Sequence, residues 1–220
     1  MDDKSSDQSL VISYLTLRQL IGYVGILMPI TIKLGAYWYE GIPSSESISA
    51  YYYTGMRDVF VGTLVVVGAL LVCYRGPSLL DDVVTNVAGL AAIAAALLPL
   101  NPSYDPVILA RFPSTATDQC YASHGPLGYH VYAVATFSLL TAYLAYFRFP
   151  LLSGPTVTKQ KLQRNKVYRV CAIVMVVCFC AVAWLKGRSP TASIFWPETT
   201  AIAAFGIAWL IKGQAILKDP

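Results

Sequence analysis

Six apolar stretches separated by short polar turns occupy more than half of the 220 residues of this chain. An α-helix needs about 20 apolar residues to cross a hydrocarbon core of roughly 30 Å. Each stretch has about that length, so we predict six transmembrane helices. Their predicted bounds are 20–38, 57–75, 84–100, 126–148, 167–186 and 194–217. The predicted fold class is an all-α polytopic membrane bundle that forms a single domain over residues 1–220.

The composition agrees with a membrane protein. Hydrophobic residues make up 56% of the chain and charged residues 13%, whereas average soluble domains carry about 25% charged residues. Too few charges remain to coat a globule of this size. The chain also lacks the stacking and base-reading elements of a nucleic-acid-binding module. We therefore predict membrane lipids as partners and no nucleic acid.

Lysine and arginine are unevenly distributed over the two sides of the predicted bundle. With both termini in the cytoplasm, eleven of the 16 lie on the inner side, four lie on the outer side and Lys33 lies within the first span. The positive-inside rule therefore predicts cytoplasmic N- and C-termini. The acidic N-terminus is not followed by a small-residue cleavage site, so we expect the first span to be an uncleaved anchor.

Four ionisable residues are predicted to lie at one depth, near the outer ends of four spans. They are Lys33 in the first span, Asp58 in the second, His130 in the fourth and Glu198 in the sixth. A charge at the centre of a membrane costs about 2.5–3.5 kcal/mol on insertion scales, and such residues normally face a bundle interior or an aqueous cavity. An outward-facing polar pocket would accommodate all four together.

Each of these residues also has a purely structural interpretation. Lys33 can extend its side chain to the outer headgroups. Asp58 and Glu198 can compensate the positive ends of helix dipoles. His130 can be an interfacial histidine with its hydrogen bonds satisfied, and the tyrosines nearby can form an aromatic belt at the headgroup level.

The segment between the first two spans adds candidates to the pocket. It contains Glu46, three consecutive tyrosines that include Tyr52, and Arg57 directly before Asp58. As a hypothesis, the pocket binds a small polar molecule or a lipid headgroup. Arg57 and Lys33 would donate to an anionic group, the acids would balance their charge, and the tyrosines would line the rim.

Two alternatives remain open on the sequence. The first is a metal-dependent lipid hydrolase, in which Asp58, His124 and His130 supply the three protein ligands of a catalytic zinc and a water takes the fourth position. No HxxxH or HExxH pattern places two of these ligands on one helix face. The second alternative is a small transporter, for which broken helices and internal repeats are the usual signals. Pro29 and Pro99 are the candidate breaks, and the two three-span halves show no repeat.

Three runs of the sequence carry a family resemblance. They are SISAYYYTGMRDVFVG at 47–62, LLPLN at 97–101 and FWPETTAIAAFGIAWLIKG at 195–213. With His130 opening span four, they resemble a group of bacterial six-span inner-membrane proteins of unassigned activity, over nearly the full chain. The resemblance implies the same architecture, a bacterial inner (plasma) membrane and attention to Asp58, His130 and Glu198. The outer Ser, Asp and His residues are also remotely similar to those of alkaline-ceramidase-type membrane hydrolases, from which this chain differs in span count and in lacking paired histidines in the last helix.

Overall fold

The computed structural model describes residues 3–98, 100, 128–151, 158–189 and 191–217, with side chains from Tyr14 onward. In these residues the regular structure is helical, which confirms the all-α class. The helices are α1 (Asp3–Glu40), α2 (Arg57–Cys73), α3 (Leu79–Leu97), α4 (Gly128–Tyr143), α5 (Phe149–Leu151), α6 (Lys159–Arg188) and α7 (Phe195–Lys212). A 3₁₀ helix (Ile48–Tyr53) precedes α2, and a π-helical turn (Leu144–Arg148) joins α4 to α5.

Four helical segments are long and apolar enough to cross a membrane. They are Tyr14–Glu40 in α1, Leu79–Leu97, the continuous helix Gly128–Leu151 and Lys159–Arg188. α2 has 17 residues and α7 has 18, so at a rise of 1.5 Å they are about 26 and 27 Å long. That is slightly less than a hydrocarbon core of roughly 30 Å. Length and composition therefore support several membrane crossings, and six crossings require α2 and α7 to span as well.

The long helices pack in a closed ring that follows the order of the chain. α1 packs against α2, α2 against α3, α3 against α4, α4 against α6, and α6 against α7. α7 then returns to pack against α1 and closes the ring. Successive helices run in opposite directions, so the bundle has two polar ends. We name them the serine end, which holds Ser47 and Ser49, and the arginine end, which holds Arg18, Arg148 and Arg164.

Buried apolar side chains fill each half of the ring. Towards the arginine end the core is aromatic: the indole of Trp209 meets the rings of Tyr74 and Phe149 edge to face, with centroids 5.1 Å apart in both pairs. Towards the serine end, Tyr51 and Phe60 are buried in a second cluster. Large apolar side chains also cover the outside of the bundle, as on α3 and α6. A surface of that kind is suited to lipid.

Glycines set the closest contacts between helices. A Cβ atom added to Gly68 of α2 would lie 2.6 Å from the carbonyl oxygen of Gly89 of α3, and one added to Gly89 would lie 2.5 Å from the carbonyl oxygen of Gly68. Gly22 and Gly206 meet in the same way between α1 and α7, at 2.7 Å. Small residues at such crossings let backbones approach in lipid, where packing drives helix association.

Replacing Gly68 by alanine should lower the thermal stability of the purified protein. The added methyl group overlaps the Gly89 carbonyl, so the two helices must separate, and overpacking of this kind costs about 1–3 kcal/mol. Gly62 of the same helix is the matched control, because no described atom lies within 4 Å of its Cβ position. Alanine is also the better helix former by about 1 kcal/mol, so Gly62→Ala should keep or raise the melting temperature. Equal melting temperatures for both variants would contradict the close contact.

Candidate functional site

Segment 41–56 folds over the serine end of the bundle. Gly41 ends α1 with a φ of +65°, a left-handed conformation that glycine adopts without strain. The chain then enters the 3₁₀ helix, whose Tyr51 is fully buried and packs 6.1 Å from the ring centroid of Phe195. Because this segment is largely buried, its backbone and side-chain polar groups need partners within the protein.

Glu198 attaches the start of α7 to the segment. The hydroxyl of Ser47 lies 3.0 and 3.2 Å from the two carboxylate oxygens of Glu198, and the amide of Ile48 donates to the same carboxylate at 2.7 Å. A backbone hydrogen bond of 2.7 Å from the amide of Ile194 to the carbonyl of Glu46 adds to this attachment. The carboxylate lies in the first turn of α7, where the helix dipole favours a negative charge. Its hydrogen-bonding needs are therefore met by the segment instead of by water.

His130 attaches the same segment to α3 and α4. Its ring is only 5% exposed, with Nδ1 2.6 Å from the carbonyl oxygen of Leu98 and 3.1 Å from that of Ala95. Nε2 lies 2.8 Å from the hydroxyl oxygen of Ser49. A carbonyl oxygen only accepts, so Nδ1 carries a proton, and in the neutral ring Nε2 accepts from Ser49. His130 thus satisfies carbonyls at the end of α3 that have no partner within the helix.

Ser47, Ser49, His130 and Glu198 form one hydrogen-bonded network, which we name the serine clasp. The amide of Ser49 donates to the hydroxyl oxygen of Ser47 at 3.2 Å, and this contact links the Glu198 half to the His130 half. The clasp connects α7, α4 and the 3₁₀ helix across one end of the bundle. Since its members are buried or half-buried, removing one leaves its partner without a hydrogen bond.

The contact between Ser49 and His130 has the spacing of a nucleophile and its general base. Acyl transfer also needs amide donors for the developing oxyanion. The amides of residues 48–50 already donate, to Glu198, to the hydroxyl of Ser47 and to the carbonyl of Ser47. The geometry of the described residues therefore favours a structural clasp over a hydrolytic pair.

Arg57 and Asp58 are exposed at the start of α2. The guanidinium of Arg57 lies over the ring of Tyr52, 4.5 Å from its centroid, and donates to its hydroxyl at 2.8 Å. The side chain of Asp58 makes no hydrogen bond or ion pair with another described residue. Adjacent side chains on a helix are about 100° apart. Arg57 and Asp58 therefore present a donor and an acceptor on neighbouring faces of the same helical turn.

Lys33 lies against the aromatic start of α7. Its ammonium is 4.5 Å from the ring centroid of Trp196 and 4.7 Å from that of Phe195. At these distances a cation is attracted by the negative faces of the rings. Lys33 is half-buried, and the aromatic contact stabilises an ammonium that lies close to the serine end of α1.

The structure places all seven predicted pocket residues at the serine end. It joins His130 and Glu198 through the clasp, and it brings Tyr52 and Arg57 into direct contact. The seven are Lys33, Glu46, Tyr52, Arg57, Asp58, His130 and Glu198. That they line a ligand pocket stays a prediction.

In the described part of the chain, no arrangement of residues indicates a metal site or a transport pathway. No group of three or more His, Cys, Asp or Glu side chains there could hold a metal ion. Both ring nitrogens of His130 are engaged, Asp58 stands apart from the clasp, and His124 lies outside the described residues. α1 continues unbroken through Pro29, and Pro99, like His124, is not described.

Sequence reasoning missed the two serines of the clasp. A signal was present, because Ser47 and Ser49 flank the start of a short aromatic helix, and serine is a favoured N-cap. Ser47 is indeed the N-cap residue of the 3₁₀ helix and accepts from the amide of Ser49. What the pattern did not contain was the identity of the partners, which come from helices far along the chain.

Comparison with known proteins adds no family to these observations. No protein family model, curated protein or solved structure matches this chain.

Replacing His130 by alanine should destabilise the serine end. The change leaves the hydroxyl of Ser49 and the carbonyl of Leu98 without their partner, at a cost of about 1–3 kcal/mol for each buried group left unsatisfied. Thermal unfolding and the rate of proteolysis within segment 41–56 would both report the loss. Tyr132→Ala, at an exposed position on the same helix, is the control.

The double variant Ser49→Ala/His130→Ala tests the contact itself. Because both partners are removed together, its free energy of unfolding should fall by less than the sum of the two single effects. Strict additivity would show that Ser49 and His130 do not interact.

Proposed function

We propose that this chain is a six-span integral membrane protein whose serine end faces outward and binds a phosphate-and-amine headgroup. The proposal joins three parts: the number of crossings, the orientation and the ligand. A bacterial inner membrane is part of it, as the resemblance of the three sequence runs implies.

The closed ring supports six crossings. α2 packs between α1 and α3, and α7 packs between α6 and α1, and all four of these neighbours are long and apolar enough to span. α2 connects segment 41–56 at the serine end with the loop 74–78 at the arginine end. A helix with this position in the ring crosses the same thickness as its neighbours. The excess of Lys and Arg at the arginine end supports placing that end in the cytoplasm.

The ligand proposal rests on the position of the Arg57 guanidinium. Its guanidinium is exposed and held in one place by the ring and hydroxyl of Tyr52, so little side-chain entropy remains to be lost on binding. A guanidinium donates in a fork that matches phosphate oxygens. Asp58 beside it accepts from an ammonium. The pair is complementary to a phosphate with a primary amine nearby, as in phosphatidylethanolamine or free phosphoethanolamine.

The serine clasp contributes by fixing the segment that carries Tyr52. Both halves of the clasp bond to residues 47–49, a few residues before Tyr52, and the carboxylate of Glu40 accepts the amide of Gly55 just after it. The tyrosine that orients Arg57 is therefore held on both sides. Preorganisation of this kind raises affinity without adding contacts.

Cysteine labelling from the two sides of the membrane tests the six crossings. In a variant without native cysteines, Ser44→Cys and Pro77→Cys place single thiols at exposed positions before and after α2. Six crossings put these thiols on opposite sides. We expect an impermeant maleimide to label the cysteine at 44 in intact cells and the one at 77 only after permeabilisation. Labelling of both in intact cells would show that α2 does not cross.

Native mass spectrometry with defined lipids tests the ligand. Wild-type protein should retain phosphatidylethanolamine, and Arg57→Gln should lower its affinity about tenfold, because one charge-assisted hydrogen-bonding group is lost. Asp58→Asn should remove the preference for phosphatidylethanolamine over phosphatidylcholine, whose quaternary ammonium has no N–H to donate. A second measurement distinguishes a free ligand from a lipid. If phosphoethanolamine raises the melting temperature of the protein in detergent, the site accepts the free headgroup; if only phosphatidylethanolamine does so, the ligand is the lipid.

Arg188 provides a matched control for Arg57. It ends α6, which puts it at the same end of the bundle, and its guanidinium lies 4.7 Å from the ring centroid of Trp184. Arg188→Gln removes an equivalent stacked charge, so it should leave the occupancy within about twofold of wild type. Equal losses for Arg57→Gln and Arg188→Gln would reduce the effect to surface charge and contradict the site.

A further inference from the structure

The arginine end buries several cations in a small volume. Arg164 of α6 and Lys212 of α7 are each 7% exposed, and the charges of Arg18 and Arg164 both act on Lys212. Arg18 also donates from Nη1 to the backbone carbonyl of Lys212 at 3.3 Å. Three positive side chains from three helices are thus neighbours, with Arg164 and Lys212 buried and Arg18 half-buried. The ammonium of Lys212 also donates to the backbone carbonyl of Phe149 at 3.4 Å, but this acceptor carries no charge. Placing like charges together away from water is costly unless an anion joins them.

The acid whose charge acts on Lys212 is Asp81, and it is already paired with Arg148. Arg148 binds both oxygens of Asp81, with distances of 2.5 Å from Nε to Oδ1 and 3.0 Å from Nη2 to Oδ2. Ser78 completes the pair, since its hydroxyl donates to Asp81 at 2.6 Å and accepts from Arg148 at 2.7 Å. The π-helical turn places Arg148 for this contact. Asp82 accepts the amide of Gly76 at 2.7 Å, so its carboxylate is engaged in the α2–α3 loop.

Two donors at the same place lack a hydrogen-bond partner within the described residues. They are the hydroxyl of Tyr74 and Nε of Arg18, and both atoms are buried. Tyr74 is 1% exposed, and its ring stacks on that of Tyr14 with centroids 5.6 Å apart. The guanidinium of Arg18 lies against both rings, 4.5 Å from the centroid of Tyr14 and 5.4 Å from that of Tyr74. Buried polar side-chain atoms normally have a partner. A buried phenol and guanidinium that both have hydrogens to donate indicate an acceptor with several oxygens.

We propose that Lys212, Arg18 and Tyr74, with Arg164 beside them, bind a phosphate group at the arginine end. Lysine contributes a compact charge, arginine a planar donor fork and tyrosine a neutral donor, a set that suits the oxygens of one phosphate. The phosphate belongs to an anionic lipid of the adjacent leaflet or is free in solution. This site lies at the opposite end from the headgroup site proposed above and does not depend on it.

Thermal unfolding in nanodiscs of stated composition tests this site. Wild-type protein in phosphatidylcholine should gain stability when phosphatidylglycerol is added. For Lys212→Met we expect that about tenfold more phosphatidylglycerol is needed for the same rise in melting temperature. Tyr74→Phe should increase the amount needed by a smaller factor. Lys166→Met is the matched control, because Lys166 is an exposed lysine two residues from Arg164 on the same helix. It should stay within about twofold of wild type.

A second readout guards against a variant that simply fails to fold. In pure phosphatidylcholine, Lys212→Met removes a cation from a group of like charges, and it also removes the donor to the carbonyl of Phe149 at 3.4 Å. Because these two effects oppose each other, the melting temperature should stay close to that of the wild type. Inorganic phosphate in detergent separates the sources of the ligand. Stabilisation by inorganic phosphate that Lys212→Met abolishes identifies free phosphate, and stabilisation by phosphatidylglycerol alone identifies a lipid.

Three results would overturn the site. The first is a wild type that neither phosphatidylglycerol nor inorganic phosphate stabilises. The second is an equal loss in Lys212→Met and Lys166→Met, which would reduce the effect to surface attraction. The third is a large loss of stability of Lys212→Met in pure phosphatidylcholine with an unchanged response to phosphate, which would show that Lys212 acts through contacts within the chain, such as its bond to the carbonyl of Phe149.

Discussion

The structure depends on satisfying polar groups where water is scarce. A helix leaves its last carbonyls and first amides without partners, and in a ring of apolar helices these groups lie close to the ends of the hydrocarbon. The imidazole of His130 covers carbonyls at the end of α3, and Glu198 binds a serine and an amide of the 3₁₀ helix. One histidine and one carboxylate thereby close an end of the bundle. The packing of segment 41–56, and with it the position of Tyr52 and Arg57, follows from these bonds.

The helices themselves were predictable because their signal is local. Each of the six apolar stretches contains one of the long helices in the described residues, and the second is nearly the same as predicted, with 57–75 from the sequence and Arg57–Cys73 in the structure. α1 extends much further towards the N-terminus than the predicted 20–38. Hydropathy locates the apolar part of a helix, but the polar residues before Leu20 also favour helix, and Tyr14 and Arg18 pack against Tyr74. Such long-range contacts are not visible in a hydropathy pattern.

The sequence predicts which site residues share one end of the bundle, but it does not predict their hydrogen-bond partners. The reasoning that ionisable residues near the outer ends share a layer placed His130 and Glu198 at one end of the bundle, as the structure has them. It expected them to face one polar pocket, which stays a prediction, and it did not anticipate that both bond to the segment between α1 and α2. Helical periodicity predicts how far along the helix axis a residue lies, but it does not predict the path of an irregular loop. Ser47 and Ser49 are also short polar residues with many possible roles, and only their tertiary contacts distinguish them.

The two ends of the bundle differ in a way that charge counting alone does not explain. The positive-inside rule counts Lys and Arg near the ends of spans, and exposed residues such as Lys166 and Arg169 satisfy it at no cost in desolvation. Arg164 and Lys212 contribute to the same count, yet they are buried. Since orientation in the membrane does not require a cation to leave water, the burial of Lys212 needs a separate cause. The phosphate that we propose at the arginine end would supply that cause, and the neighbouring Asp81–Arg148 pair shows how opposite charges are already brought together within the chain.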